Sequence, residues 1–125
     1  MSPLFSMTAD ELQHFLVTRV PHNEALGIKV RHCSAGKLGF ELPYDPELVG
    51  NPATGEMHEG TLTVLLDGCC GSVPLTVMDV PRRTATLDLR IDFLRKAGPG
   101  LGVRCEAQIM SLDEHIATVT RVRDG

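Results

Sequence analysis

The stretch from His58 to Val73, HEGTLTVLLDGCCGSV, restricts the fold more than any other part of the chain. Leu62, Leu65, Leu66, Cys69 and Val73 recur at i, i+3, i+4, i+7 and i+11, the spacing of a core-facing helical stripe. Gly60, Thr63, Val64, Asp67 and Gly71 fall on the other side, which is made mostly of small residues. A lone carboxylate on the small face of an apolar helix is costly to bury without a partner, so Asp67 is expected to line a cleft. The spacing predicts a helix from about Glu59 to about Gly71, kinked or ended by Pro74.

The flanking segments supply the packing partners. Thr8-Ala-Asp-Glu11 has capping-box spacing, and Leu12, Phe15 and Leu16 with Arg19 or Val20 continue a helix that Pro21 stops, with His14 on its exposed side. Leu26, Ile28 and Val30 alternate with polar residues or glycine as a strand. Ser34-Ala-Gly36-Lys37 turns the chain into a second strand through Leu38, Phe40 and Leu42, completing a hairpin. Residues 43–57 hold three prolines and two glycines and read as an irregular connection, and residues 79–83 read as a shorter one. Thr84–Arg95 alternates most cleanly, with Ala85, Leu87, Leu89, Ile91 and Phe93 on one face, which predicts a long antiparallel strand. After the turn Gly98–Gly102, Val103–Ile109 and His115–Arg123 read as two more strands. One apolar helix among strands that each offer one apolar face predicts an α+β domain, its antiparallel sheet curled around the helix.

At 125 residues the chain makes one domain, 1–125, large enough for a proper core. A net charge of −4 excludes the basic balance of a nucleic-acid-binding domain. No apolar run looks long enough for a membrane span, and the N-terminus lacks the pattern of a signal peptide. Cys33, Cys69, Cys70 and Cys105 show no CxxC spacing, and adjacent cysteines bridge poorly, so a reduced cytoplasmic chain is expected.

Three segments carry a family resemblance: Leu48-Val-Gly-Asn51-Pro-Ala-Thr-Gly55, Met57-His58-Glu59-Gly60 followed by Leu65-Leu66-Asp67, and TATLDLRIDFLRKAGPG over residues 84–100. Together they resemble the hotdog-fold thioesterases of the phenylacetate-degradation (PaaI) type, over about residues 22–123. The resemblance implies a sheet wrapped around a long central helix, to which the spacing above adds a short N-terminal helix, and assembly into homodimers or homotetramers. It implies hydrolysis of an acyl-CoA to the free acid and coenzyme A. Coenzyme A is then part of the substrate, and no separate cofactor or metal is needed. Two departures stand out. The family's His-Gly-Gly is His58-Glu59-Gly60 here, and the family's further strand after the 115–123 segment has no counterpart before Gly125.

By this resemblance Asp67 is the catalytic carboxylate, as general base on water or as nucleophile. The backbone N–H at the second position of the His-Gly-Gly motif, here that of Glu59 beside Gly60, polarises the thioester carbonyl. Asp67 comes from one subunit, and the helix-start N–H and Asn51 from the other. Asn51 contacts the thioester or its water, or else serves only as a turn former. His58 orients or packs, or else acts as a base. Thr86, or Thr84 on the same face, lies beside the carboxylate. The pairs Arg82-Arg83 and Arg95-Lys96 meet the phosphates of coenzyme A, or remain solvated surface charge. Two alternatives stay open: a catalytically degenerate acyl-CoA-binding or scaffold protein, motivated by Glu59, and a hotdog hydratase or dehydratase. Other signals fail on context. Gly98-x-Gly-x-Gly102 lies between two strands, the five histidines lack metal-ligand spacing, and Cys69 and Cys70 read as small core residues.

Overall fold

Leu38, Phe40 and Leu42 point to one side of their strand, and on that side the core forms. In the computed structural model, which describes residues 2–91, 98–113 and the backbone of 117–124, strand β1 (Lys29–Ser34) pairs antiparallel with β2 (Lys37–Leu42). Strand β2 pairs with β5 (Val103–Leu112), and β5 with β6 (Ala117–Asp124), giving an antiparallel sheet in the order β1-β2-β5-β6. The β2–β5 register places Leu38 opposite Ala107, Phe40 opposite Cys105 and Leu42 opposite Val103. All six side chains are buried.

Helix α3 (Glu59–Ser72) lies against this face, and a 3-10 turn through Pro74 (Val73–Val77) ends it as Pro74 requires. Leu65, Leu66, Cys69 and Val73 are buried as the stripe predicts. Leu62 is only half-buried, and Thr61 takes an inward position instead, its hydroxyl donating to His58 O at 2.7 Å. Two thiols tie helix to sheet: Cys69 donates to Leu38 O at 3.3 Å, and Cys105 on β5 to Leu65 O at 3.9 Å. The stretch Glu59–Val77 is 19 residues long and, by length and apolarity alone, would suffice to cross a membrane. This corrects the expectation that no run is long enough. Its apolarity has another use, since one face packs on β2 and β5.

The N-terminal helices depart from the sequence reading in an instructive way. The capping box forms, with Glu11 N–H donating to Thr8 Oγ1 and Thr8 N–H to Glu11 Oε1, and opens α1 (Ala9–Gln13). A π-helical turn, His14–Thr18, then adds a residue to the turn. That rotates the face, so Leu16 and Val17 are buried while Val20 is 44% exposed. Pro21 does not merely stop a helix. It occupies the first turn of another, α2 (Pro21–Leu26), where its missing N–H costs nothing. Leu26 therefore ends a helix rather than starting a strand, and Gly27, with φ of 80°, supplies the left-handed residue that closes it. Gln13 donates to Ile28 O and accepts from Val30 N–H, both at 2.8 Å, and so caps part of the open edge of β1 with a side-chain amide.

Two connections also differ. Residues 43–57 contain a short antiparallel pair, β3 (Val49–Asn51) with β4 (Glu56–Met57), inside the predicted irregular connection. The long strand predicted over Thr84–Arg95 is absent from the part described: residues 84–91 form no strand, and 92–97 lie outside the described residues. A strand needs a ladder partner, and the hydroxyls of this segment are instead bonded to α3. Leu87, 82% exposed, and Leu89 are left outside the core. The predicted strand His115–Arg123 corresponds to β6, although His115 itself is outside the described residues.

Because α3 joins the sheet through a few fully buried side chains, truncating one should weaken the whole fold. Leu65→Ala is expected to lower the unfolding free energy by about 2–5 kcal/mol. Thr8→Ala, which removes only the capping box, should cost about 1 kcal/mol. Urea denaturation of the two variants beside the wild type checks both values.

Candidate active site

The start of α3 is built around His58. It precedes the helix with extended backbone (φ −60°, ψ 134°), and its Nδ1 accepts the Gly60 N–H at 2.9 Å, so the neutral ring carries its proton on Nε2. His58 O accepts the Thr61 N–H at 3.0 Å, and His58 N–H donates to Leu48 O at 2.8 Å. These bonds consume the backbone donors around the helix start except one. The Glu59 N–H has no acceptor among the described residues, and it points out of the positive end of a 14-residue helix. Glu59's own side chain is exposed. Gly50 makes the arrangement possible: a Cβ there would lie 2.9 Å from His58 Cα, closer than any side chain tolerates.

Asp67 lies about two turns further along the same helix and is half-buried. Thr86 Oγ1 donates to Asp67 Oδ1 at 2.7 Å, and Thr84 Oγ1 donates to Gly71 O at 2.6 Å. The second bond satisfies a carbonyl in the last turn of α3, which has lost its regular donors where the helix gives way to the Pro74 turn. Two hydroxyls thus pin the 84–86 segment along the small-residue face, and one of them fixes the carboxylate through Oδ1, Oδ2 having no hydrogen bond among the described residues. Both threonines singled out in the sequence are therefore engaged, and Thr86 is the one that reaches Asp67.

Nearby thiols are poor nucleophiles. Burial, with Cys105 and the Asp67 charge adding to it, pushes Cys70 up to about 11. Cys69 is raised further by its hydrogen bond with Cys105 and by burial. Both remain protonated at neutral pH, and a thiol in that state is unreactive.

The remaining candidates are more dispersed. Asn51 Oδ1 accepts the Ala53 N–H at 3.1 Å, so its side chain closes the turn between β3 and β4, next to the Gly50 that abuts His58. Arg82 and Arg83 are exposed just before Thr84, while Arg95 and Lys96 lie outside the described residues. No group of three or more His, Cys, Asp or Glu side chains converges on a metal position among the described residues.

Beside the start of α3 opens a cleft of about 500 Å³. Leu26 of α2, Leu48 and Val64 give it apolar walls, and the exposed His22 and Glu47 line it together with His58, Gly60 and Thr61. Neither His22 nor Glu47 stands out in the sequence. They come together only because Pro21 starts α2 and a 3-10 turn, Pro46–Leu48, brings Glu47 alongside.

The model of the thioesterase superfamily matches residues 54–121. Among solved structures, a Pseudomonas aeruginosa protein is 27% identical with a TM-score of 0.77, covering 91% of this chain and 87% of its own. A mutant of the phenylacetic acid degradation protein PaaI from Thermus thermophilus is 28% identical, with a TM-score of 0.70 and coverage of 83% and 86%. PaaI from the phenylacetic acid degradation operon of Escherichia coli, at 19% identity, a TM-score of 0.68 and coverage of 81% and 74%, shares the fold. No curated protein sequence matches the chain. The sheet around α3 is the hotdog arrangement, and with the superfamily model spanning more than half of its length, this chain belongs to the thioesterase superfamily.

Proposed function

We propose that the protein hydrolyses an acyl-CoA thioester, with Asp67 as general base or nucleophile and the Glu59 N–H as donor to the developing oxyanion. The observation that carries this reading is the Asp67 carboxylate, half-buried and held by the Thr86 hydroxyl at 2.7 Å, on the helix whose first turn leaves the Glu59 N–H unpaired. A hydrogen bond to one oxygen fixes the orientation of the carboxylate and aims the other oxygen. A backbone donor at a helix start stabilises negative charge where a carbonyl is attacked. That role needs only the main chain of Glu59, whose side chain is exposed.

Distance then bears on assembly. Eight residues separate Glu59 from Asp67, roughly 12 Å along the helix axis. One thioester carbonyl cannot span that gap, so we infer that Asp67 of one subunit acts with the Glu59 N–H of another in a homodimer or larger homo-oligomer. The alternating segment beside Asp67, with Leu87 and Leu89 exposed and no strand partner, supports a second copy covering this side of α3. Arg82 and Arg83, both exposed at the same end, are suited to the phosphates of coenzyme A, since Arg forks match phosphate oxygens. Asn51 and His58 shape the loop and helix start around the donor rather than carry protons.

A thiol-release assay over short, medium and aryl acyl-CoAs, with background from the native cysteines subtracted, tests the reading. Asp67→Asn is expected to lower kcat by at least about 100-fold with the fold intact; equal release by wild type and variant would exclude Asp67 as the catalyst. Thr86→Val, which keeps the shape but loses the hydroxyl, should lower kcat by about tenfold, the loss of one charge-assisted hydrogen bond. Circular dichroism of each variant separates loss of chemistry from loss of fold.

A further inference from the structure

The open cleft beside the start of α3 has a chemistry of its own. Gly60, next in the chain to the Glu59 N–H, is one of its lining residues, and Leu26, Leu48, Val49 and Val64 give it apolar walls. No lysine or arginine lines it among the described residues. The charged side chain lining it is the carboxylate of Glu47, which is exposed and has no ion-pair partner among the described residues. The Glu47 backbone is fixed by its N–H bond to Asp45 Oδ1 at 2.9 Å, so the residue keeps its place in the 3-10 turn. The other polar side chains lining the cleft are the imidazoles of His22 and His58, with the His58 Nδ1 accepting from Gly60 N–H, and the Thr61 hydroxyl, which donates to His58 O.

Resting on the thioesterase reading above, we propose that this cleft takes the acyl group of the thioester, that it admits uncharged acyl groups larger than acetyl, and that Glu47 excludes those ending in a carboxylate. A thioester carbonyl bonded to the Glu59 N–H has its acyl chain emerging beside Gly60, and the adjoining apolar space is this cleft. A volume of about 500 Å³ holds several carbons with room to spare. The strongest donors to a terminal carboxylate are guanidinium and ammonium groups, and among the described residues none lines the cleft. It presents a like charge instead, and a pair of like charges some 6 Å apart at a partly solvated surface weakens binding by about tenfold. The residue that decides specificity is thus outside the catalytic groups, on a turn that the local sequence builds for its own reasons.

Butyryl-CoA and succinyl-CoA have the same carbon count and differ in the terminal carboxylate, so they isolate the charge. The experiment measures kcat/KM for both with the full chain and with Glu47→Gln. It also measures calorimetric affinities for both in the Asp67→Asn background, with and without Glu47→Gln. The wild type is expected to favour butyryl-CoA by about tenfold or more, and Glu47→Gln to narrow that ratio several-fold, as one removed like charge would. Equal use of the two thioesters, or a ratio that Glu47→Gln leaves in place, overturns the inference while leaving hydrolysis itself standing. If no thioester is hydrolysed, the hydrolytic reading fails and the affinities decide. Tighter binding of butyryl-CoA, narrowed by Glu47→Gln, upholds the cleft, and absent or indifferent binding rejects it.

Discussion

The packing of one helix against one sheet face governs the rest of this structure. Leu38, Phe40 and Leu42 on β2, and Val103, Cys105 and Ala107 on β5, form a buried surface that only an apolar stripe can cover. Leu65, Leu66, Cys69 and Val73 provide it, and each buried aliphatic side chain contributes roughly 1.5–3 kcal/mol. Once that face is committed, the opposite face of α3 is left to small residues and a carboxylate. The position of Asp67 is therefore a consequence of core packing as much as of chemistry. The same commitment fixes where the helix begins, and so where the unpaired Glu59 N–H points.

A rigid helix makes a good ruler but a poor clamp. It holds its donor and its carboxylate at constant separation and cannot bring them onto one reacting carbon. A site made from both has to borrow one of them from another copy, which gives the exposed Leu87 and Leu89 and the strandless 84–91 segment a physical reason. The cleft bounded by α2 and the Pro46–Leu48 turn belongs to the donor end of that ruler. On the function proposed above, selection of the acyl group and attack on the thioester would fall to different elements.

Much of this could be read from the residues alone, where the deciding interactions are local. The Thr8–Glu11 capping box, the β1–β2 hairpin and the bounds of α3 all follow from spacing and turn chemistry, and each is observed. Asp67 stood out because a charge interrupts an otherwise apolar run, and Thr86 through the family resemblance, which sets a hydroxyl residue beside the carboxylate. What escaped depends on context. Pro21 reads equally as a stop or a start, and the π turn at His14–Thr18 leaves no mark in composition. The 84–95 alternation records an environment with two distinct sides, and residues 84–91 of a single chain do not supply the second. His22 and Glu47 lie far apart in sequence and meet only through tertiary structure.

The claim that most needs testing is that the two halves of the site come from different copies of the chain. Glu59→Pro removes the donor N–H at a helix position where proline is well tolerated, and the extended backbone of His58 suits a following proline. Glu59→Pro and Asp67→Asn proteins, each inactive alone, would be unfolded together, refolded and assayed for thiol release. Sites shared across a two-fold interface restore about a quarter of wild-type activity, because half of the random dimers are mixed and each mixed dimer rebuilds one site. No recovery, in a mixture shown by mass to contain mixed dimers, would place the whole site within one chain and contradict the division of labour described here.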